Sequence, residues 1–201
     1  QYIEKSGYHS VVIRANSLDY GVPQIRKRVF FLGSRKDFKN NLPEKTHYNP
    51  TESNINIDTS KLRPYEGVGR FINKFSGKKY FEPQEIAALG TYYQELLAVP
   101  PGKNYIELVR RGNKKFKMGK RFWNFLLKLH PDKPSWTIPA QPGPWVGPFH
   151  WDSRRLRVPE MAAIQTFPDN YKFFGSRRSI QRQIGNAVPC LLGKAMIQFL
   201  L

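Results

Sequence analysis

The stretch HSVVIRANSLDYGVPQIRKRVFFLG, residues 9–33, contains two apolar runs separated by a polar loop. His9–Ile13 is rich in β-branched residues and Arg28–Gly33 is largely apolar, which predicts two strands. The second run is too apolar for a strand on a surface, so we expect both strands to be buried. Asn16–Pro23 between them is rich in turn-forming residues. Two buried strands joined by such a loop predict the edge of an α/β sheet.

Helices are predicted on either side of this stretch. Gln1–Lys5 has the composition of a helix end, with Gly7 as its terminator. Pro83 suits a first helical position, and apolar residues recur at helical spacing as far as Leu97, before Pro100 ends the pattern. The proline-rich residues 131–150 are expected to be irregular. Three more helices are predicted nearer the C-terminus, at Val158–Phe167, Ser179–Ile184 and Pro189–Leu200.

The strongest compositional signal is charge. The 201 residues include 33 Lys and Arg against 15 Asp and Glu, which gives a formal net charge of +18. A folded domain this basic normally has a polyanion as its partner, and nucleic acid is the first candidate. A membrane-surface role would favour a basic amphipathic helix, whereas the basic residues here alternate with Gly, Pro and aromatic residues. No apolar run approaches the ~20 residues that a membrane span needs.

The number of cysteines limits which cellular compartments and which kinds of metal site are compatible with the sequence. Cys190 is the single cysteine, which excludes a disulfide framework and a thiolate zinc site and fits a reducing compartment. No signal-peptide pattern is found at the N-terminus, so we expect a cytoplasmic, nucleoid-associated protein with no metal and no membrane partner.

The basic charge is densest between Lys103 and Lys128. This segment holds nine Lys and Arg and one acidic residue, Glu107, for a local net charge of +8, and aromatic residues lie among them. Such a mixture suits a surface that follows a nucleic-acid backbone. It equally suits a solvated face with core residues between the charges, and the sequence leaves both interpretations open. The candidate DNA-binding residues are Lys114, Lys115, Lys117, Lys120 and Arg121.

Three blocks of sequence resemble motifs of the DNA (cytosine-5)-methyltransferases. DYGVPQIRKR at 19–28 resembles the family's eighth motif, a Gln-x-Arg-x-Arg loop that leads into a strand. Arg155-Leu156 with PEMAAIQTFPD at 159–169 resembles the ninth, and QIGNAVP at 183–189 resembles the tenth. The blocks occur in the family's order, with a long variable stretch between the first two, which argues against coincidence.

The resemblance implies a fold and a division of the chain. We expect an α/β protein in which a partial Rossmann-like methyltransferase sheet edge and C-terminal helices accompany an irregular mixed target-recognition domain. Residues 1–35 would end the catalytic domain, residues 36–154 would form the target-recognition domain, and the helices of residues 155–201 would return to the catalytic domain. The implied partner is double-stranded DNA and the implied cofactor is S-adenosyl-L-methionine.

The first block has a physical rationale of its own. An extended chain turns residues at alternate positions to one side, so Gln24, Arg26 and Arg28 can converge on one small anionic or carbonyl-rich target. A flipped cytosine with its flanking phosphate is such a target, because a guanidinium can donate to a base oxygen and a phosphate oxygen together. The alternative is that the arginines lie on the surface and pair with acids. With the resemblance, all three residues become candidate site residues that position the base.

The third block and one threonine supply the remaining candidates. Gly185, Asn186, Ala187 and Val188 are small or short residues expected at a helix start, where free N–H groups can meet a ligand. The resemblance implies that these four residues complete the pocket for the methionine part of S-adenosyl-L-methionine. It also implies that Asn186 is a spatial neighbour of Gln24, Arg26 and Arg28, on the opposite wall of one pocket. The alternative is a helix cap on Asn186. Thr137 is a candidate near the flipped nucleotide, because family members often carry a Thr-hydrophobic pair in this domain.

The resemblance also shows which catalytic groups are not found upstream of the first block. The family's chemistry requires a thiolate that adds to C6 of cytosine and an acid that interacts with N3. The family carries them in a Pro-Cys loop and a Glu-Asn-Val turn, and neither precedes residue 19 here. Pro189-Cys190 lies in the third block instead, and we interpret Cys190 as a small apolar helix residue.

We therefore expect the chain to be the C-terminal part of such an enzyme. Alone it would be inactive, and it would transfer a methyl group to C5 of cytosine only with the missing N-terminal half or subunit. A first residue of Gln1 favours a fragment over the natural second subunit of a split methyltransferase. The basic charge is also compatible with a stand-alone sequence-specific DNA-binding module or with a basic RNA-associated protein.

Overall fold

A hairpin near the N-terminus is the larger of the two sheets in the described part of the chain. The computed structural model describes residues 5–38, 42–51, 58–86 and 90–201. Strands β1 (His9–Asn16) and β2 (Lys27–Ser34) pair antiparallel, as the two apolar runs predict. A 3-10 turn, Ser17–Tyr20, opens the loop between them and ends at Gly21 with φ of 80°. A short parallel pair, β3 (His47–Tyr48) and β4 (Arg63–Pro64), follows.

The helices occupy the middle and the end of the described part of the chain. They are α1 (Gly69–Ile72), α2 (Tyr93–Ala98), α3 (Tyr105–Arg110), α4 (Val158–Ile164), α5 (Arg177–Asn186) and α6 (Cys190–Leu200). Residues 131–150 contain only isolated bridges, which confirms the prediction of irregular structure. Lys5 is helical and Gly7 has φ of 75°, while residues 1–4 lie outside the described residues.

The prediction of a helix that starts at Pro83 is wrong for the first half of that helix. Pro83–Glu85 is a 3-10 turn, and the helix begins only at Tyr93, with residues 87–89 outside the described part. The carbonyl of Glu85 accepts the N–H of Arg155, a residue far along the chain, so it is not bonded within a helix. A long-range contact therefore overrides the local helical pattern.

The prediction that both hairpin strands are buried is wrong for one face. Side chains alternate along a strand, and one face of the hairpin packs on α6. The other face carries Val12, Val29 and Phe31, and Phe31 is 72% exposed. The apolar run of β2 is thus explained by packing on one side only within this chain.

Three buried clusters form the interior. The first core contains Val68, Ile72, Phe75, Leu129, Ile138, Leu156, Met161, Ala163, Ile164 and Ile184. The second core contains Leu96, Val99, Tyr105, Leu108, Phe116, Phe125, Leu126 and Phe149. The third core contains Ile13, Ala15, Tyr20, Val22, Leu192 and Met196. The first core draws on residues before and after position 154, whereas the second lies wholly within residues 96–149.

Buried ion pairs attach the turn at residues 82–85 to the start of α4. Arg157 donates through Nε and Nη2 to both carboxylate oxygens of Glu85, and through Nη1 to Phe75 O and Gly77 O. The hydrogen bond from Arg157 lowers the pKa of Glu85. Glu160 accepts from Arg154 at 2.6 and 2.9 Å. The pair of Arg157 with Glu85 holds the turn over the first core.

His150 lies beside these ion pairs and is 3% exposed. Burial, together with the charges of Arg154 and Arg157, lowers its pKa from 6.5 to about 3. The unfolded chain takes up a proton at this ring below pH 6.5, whereas the folded protein does not until about pH 3. The neutral ring therefore contributes stability above pH 6.5, and that contribution is lost as the pH falls toward 3.

We expect the free energy of unfolding to decline by roughly 1 kcal/mol per pH unit through this residue once the pH is below about 6. Urea unfolding between pH 7 and 4.5 measures the decline in the wild type and in His150→Gln, whose side chain does not titrate. Glu85, whose ordinary pKa of 4.5 is lowered here, adds a decline of its own near the acid end of this window, but it does so in both proteins, so the difference between them reports His150. Equal declines in the two proteins would contradict the prediction.

Candidate functional site

The loop between the hairpin strands is anchored to the segment around Ser135. Ile25 N donates to Ser135 O at 2.8 Å, and Ser135 N donates to Pro23 O at 2.8 Å. The hydroxyl of Thr137 donates to Ile25 O at 2.7 Å. These bonds fix the loop backbone against the irregular segment and give its side chains one defined arrangement.

The side chain of Gln24, in this loop, makes its hydrogen bonds inside the protein. It has no exposed surface. Its Nε2 donates to Gln165 Oε1 at 3.1 Å, and its Oε1 accepts the N–H of Ile138 at 3.1 Å. The amide therefore joins the hairpin loop to the segment after α4 and to the irregular segment.

Arg26 connects the first sequence block to the third. It is 2% exposed, and its Nη2 donates to Gly185 O at 2.7 Å. Burial, and then the nearby charge of Arg28, lower its pKa to about 10. Its Nε is buried and has no hydrogen-bond partner among the described residues. The two blocks are thus neighbours in space, but they meet as a packed joint and not as the walls of an open pocket.

Arg28 differs from the two residues before it. It is half-buried at the start of β2, and its Nη1 donates to Lys27 O at 2.7 Å. The side chains of Gln24 and Arg26 are directed into the protein, so the three residues do not converge on one external target in this chain. Arg28 is the member of the three that retains exposed surface.

The third block lies at a helix end, so the prediction of a helix start with free N–H groups is wrong. Gly185 and Asn186 complete α5, and the N–H of Ala187 bonds to carbonyls of that helix. At the start of α6, Cys190 N donates to Gln165 O and Leu191 N donates to Thr166 Oγ1. Among the four candidate residues of the block, Asn186 and Val188 are the exposed ones.

Gly185 is a position of close backbone approach. A Cβ built there would lie 2.5 Å from Ala140 Cα and 2.8 Å from the carbonyl carbon of Pro139. Its carbonyl is also the acceptor for Arg26. Glycine is required because α5 crosses the irregular segment in direct contact.

Gln165 is a central residue that the sequence patterns did not single out. It has no exposed surface, accepts from Gln24, and donates through Nε2 to Ile184 O at 2.7 Å. Its carbonyl accepts the N–H of Cys190. A signal was present, because a glutamine in the ninth-motif block is a polar residue inside an apolar helical pattern.

Cys190 has the features of a structural residue. It is half-buried at the first position of α6, and burial raises the pKa of its thiol. A raised pKa reduces the thiolate fraction and hence the nucleophilicity. Within the described residues no group of three or more His, Cys, Asp or Glu is arranged to hold a metal ion.

The basic segment has features of both interpretations that the sequence left open, a nucleic-acid surface and a solvated face with core residues between the charges. Phe116 and Phe125 belong to the second core, and Lys128 is buried. Lys115 pairs with Glu95, and Arg121 donates to Tyr92 Oη at 3.2 Å. Among the candidate DNA-binding residues, Lys114, Lys117 and Lys120 stay exposed without an acidic partner in the described part of the chain.

Two tryptophans connect this segment to the anchored loop. The rings of Trp123 and Trp136 meet edge to face, with centroids 4.3 Å apart. Trp136 immediately precedes Thr137, whose hydroxyl holds the hairpin loop. The two predicted groups of site residues are therefore linked by an aromatic contact.

Known proteins resemble the chain over nearly its full length. The family model for C-5 cytosine-specific DNA methylase matches residues 1–200. The chain belongs to the C-5 cytosine-specific DNA methylase family. The Type II methyltransferase M.SacI of Streptomyces achromogenes is 41% identical over 99% of this chain and 53% of its own length. M.BbvI of Brevibacillus brevis is 33% identical over 92% and 46%. The chain thus spans about half the length of these curated relatives.

Solved structures of methyltransferases share the fold. The Entamoeba histolytica methyltransferase EhMeth superposes with a TM-score of 0.54 at 13% identity, covering 98% of this chain and 55% of its own. A putative DNA modification methyltransferase encoded within a prophage of Escherichia coli gives 0.53 at 17% identity, covering 98% and 61%. The fold of the chain is therefore similar to the α/β fold of these methyltransferases. No helix in the described part of the chain is long and apolar enough for a membrane span.

Proposed function

We propose that this chain is the DNA-reading and pocket-completing portion of a cytosine-5 DNA methyltransferase. The observation that carries the proposal is the bond from Arg26 to Gly185 O, which unites the first and third family-like blocks. In this role, residues 36–154 recognise the target sequence, and the catalytic thiolate and acid belong to a polypeptide equivalent to the first half of the relatives. The half-buried Cys190, with its raised pKa, does not supply the thiolate.

The outer face of the hairpin is the proposed contact for that first half. Val12, Val29 and Phe31 form an exposed apolar face on the strands that carry the Arg28 loop. A face of this kind is covered in a stable assembly, because large apolar side chains gain free energy when removed from water. The proposal therefore explains why one face of β2 carries apolar side chains that nothing in this chain covers.

Arg28 is the residue that we propose contacts the extruded cytosine or its phosphate. It keeps exposed surface while Gln24 and Arg26 are held in internal bonds, and a guanidinium donates to carbonyl and phosphate oxygens at once. Gln24 and Arg26 then act as positioning residues that fix the loop. Arg28 binds and orients the target, and the internal hydrogen bonds of Gln24 and Arg26 keep the loop in place.

The exposure of Asn186 and Val188 supports a role at one edge of the proposed cofactor pocket. Their side chains are exposed beside the joint, whereas the Gly185 carbonyl is occupied by Arg26 and the Ala187 N–H is bonded within α5. We assign Asn186 and Val188 to contact S-adenosyl-L-methionine, and Gly185 and Ala187 to shape the turn that presents them. When bound, S-adenosyl-L-methionine supplies the methyl group.

The proposal is tested by supplying the first half in trans. The N-terminal half of M.SacI is mixed with this chain, and transfer of radioactive methyl groups from S-adenosyl-L-methionine to DNA is measured. We expect transfer only when both polypeptides are present. Folded components that associate but transfer no methyl group to any cytosine-containing DNA would refute the proposal.

In the same assay we expect Arg28→Ala to reduce methyl transfer about 100-fold, because it removes a donor aimed at the reacting base. The matched control is Arg35→Ala, which removes an exposed arginine just beyond the end of β2. Unchanged transfer by Arg28→Ala would show that the proposed role is wrong.

The exposed lysines among the candidate DNA-binding residues give a salt-dependence prediction. Each phosphate contact contributes about −0.9 to the slope of log affinity against log salt. Replacing Lys114, Lys117 and Lys120 with Ala should make the slope for duplex DNA less steep, by up to about 2.7. A variant with Lys36, Lys78 and Lys172 replaced by Ala has the same loss of net charge elsewhere on the surface. Equal slopes in the two variants would contradict specific contacts by the basic segment.

A further inference from the structure

Trp123 and Trp136 form an exposed aromatic pair, here called the tryptophan pair. The two side chains are 42% and 41% exposed, although their rings pack against each other. Phe116 and Phe125, from the same basic segment, are almost completely buried in the second core. The tryptophan pair is therefore not part of a core, and large aromatic surface left in water is typical of a binding surface.

Both tryptophans are held on anchored backbone. Trp123 O accepts from Asn104 Nδ2 at 2.6 Å. Trp136 lies between Ser135, whose N–H donates to Pro23 O, and Thr137, whose hydroxyl donates to Ile25 O. The rings are thus presented in a fixed position at low entropic cost, which favours contact with a flat and rigid partner.

The charges around the tryptophan pair indicate the chemistry of that partner. Lys117 and Lys120 are exposed on the segment that leads into Trp123. On the other side, Trp136 adjoins the loop that leads to Arg28, the arginine of the first block that keeps exposed surface. A partner that is flat and apolar at its centre and negatively charged along its edges satisfies both features, and a nucleic-acid base with its flanking phosphates has this structure.

We propose that the tryptophan pair stacks on a DNA base left without a stacking neighbour. In an intact duplex both faces of every base are covered, so an aromatic side chain gains a stacking contact only where a base is missing or displaced. Base extrusion creates such a gap, and the inference therefore rests on the proposed function. The tryptophan pair contacts the remaining stack while the Arg28 loop contacts the extruded base.

The test compares two duplexes that differ at one nucleotide. One is fully paired, and the other has a single abasic site opposite guanine, which leaves a gap that an aromatic ring can occupy. We expect the wild-type chain to bind the abasic duplex about tenfold more tightly. Binding of this duplex is also expected to quench tryptophan fluorescence more strongly than binding of the paired one.

Substitutions in the tryptophan pair separate stacking from other effects. Trp136→Leu should abolish the tenfold preference but retain binding to the paired duplex, because the phosphate contacts are unchanged. Trp136→Phe keeps a stacking ring and should retain most of the preference. Phe174→Leu, which replaces another exposed aromatic residue outside the tryptophan pair, should behave like the wild type. Urea unfolding of each variant confirms that the fold is intact.

The outcomes distinguish this inference from the function on which it rests. Equal binding of the two duplexes by the wild type, or a preference that survives in Trp136→Leu, overturns the stacking role and leaves the proposed function standing. Loss of folding in Trp136→Leu is resolved by Trp123→Leu, for which the same loss of preference is expected. Absence of binding to either duplex would refute both.

Discussion

Arg157→Ala should lower the free energy of unfolding by about 3–5 kcal/mol, because it leaves the buried carboxylate of Glu85 without its partner. The substitution removes two charge-assisted bonds to Glu85 and the bonds to the carbonyls of Phe75 and Gly77. Chemical unfolding in urea at neutral pH measures the loss.

Two further variants make this prediction specific. Arg178→Ala removes an exposed arginine of α5 and should change stability by no more than about 0.5 kcal/mol. In the double variant Arg157→Met with Glu85→Leu, both charges are absent, so much of the stability should return. If Arg157→Ala were as stable as Arg178→Ala, the ion pair would not hold the turn at residues 82–85 in place.

Gly185→Ala should destabilise the protein by about 3 kcal/mol, at the upper end of the cost of overpacking. The added methyl would lie 2.5 Å from Ala140 Cα and 2.6 Å from Ala140 N. Backbone atoms do not rotate away as a side chain does, so α5 and the irregular segment must separate. That movement also displaces the carbonyl that accepts from Arg26, and hence the Arg28 loop.

Gly193→Ala is the matched control for this substitution. Gly193 lies within α6, and the nearest atom to a Cβ there is Val188 Cγ1 at 3.9 Å. Alanine is favoured over glycine inside a helix, so this variant should gain about 0.5–1 kcal/mol. A similar gain in Gly185→Ala would mean that α5 does not cross the irregular segment in contact with it.

Local patterns predicted the elements that local interactions form. The β-branched run before Arg14 and the apolar run after Lys27 correspond to β1 and β2, because alternating side chains specify a strand wherever the face that they cover is available. Pro159 in the first turn similarly marks α4. These signals lie within a few residues of one another, so no tertiary information was needed.

Contacts between distant segments account for what the sequence did not predict. The spacing of Gln24, Arg26 and Arg28 predicted that their side chains share one direction. It could not reveal their distant partners, Gln165 and the carbonyl of Gly185, which hold the side chains of Gln24 and Arg26 inside the protein. The helix expected from Pro83 failed for the same reason, because the Glu85 carbonyl is taken by Arg155. The proximity of the two family-like blocks was predicted through the resemblance and not through any local pattern.

The composition of the first core affects how the proposed DNA-reading segment could be transferred from one family member to another. Five of its ten buried side chains precede residue 154 and five follow it. A graft of residues 36–154 from another family member would therefore import half of a hydrophobic interface that has to match the half left behind. A graft confined to residues 96–126 would carry seven of the eight buried side chains of the second core, all except Phe149, and would leave the first core native. The smaller segment is thus the better cassette for chimeric enzymes.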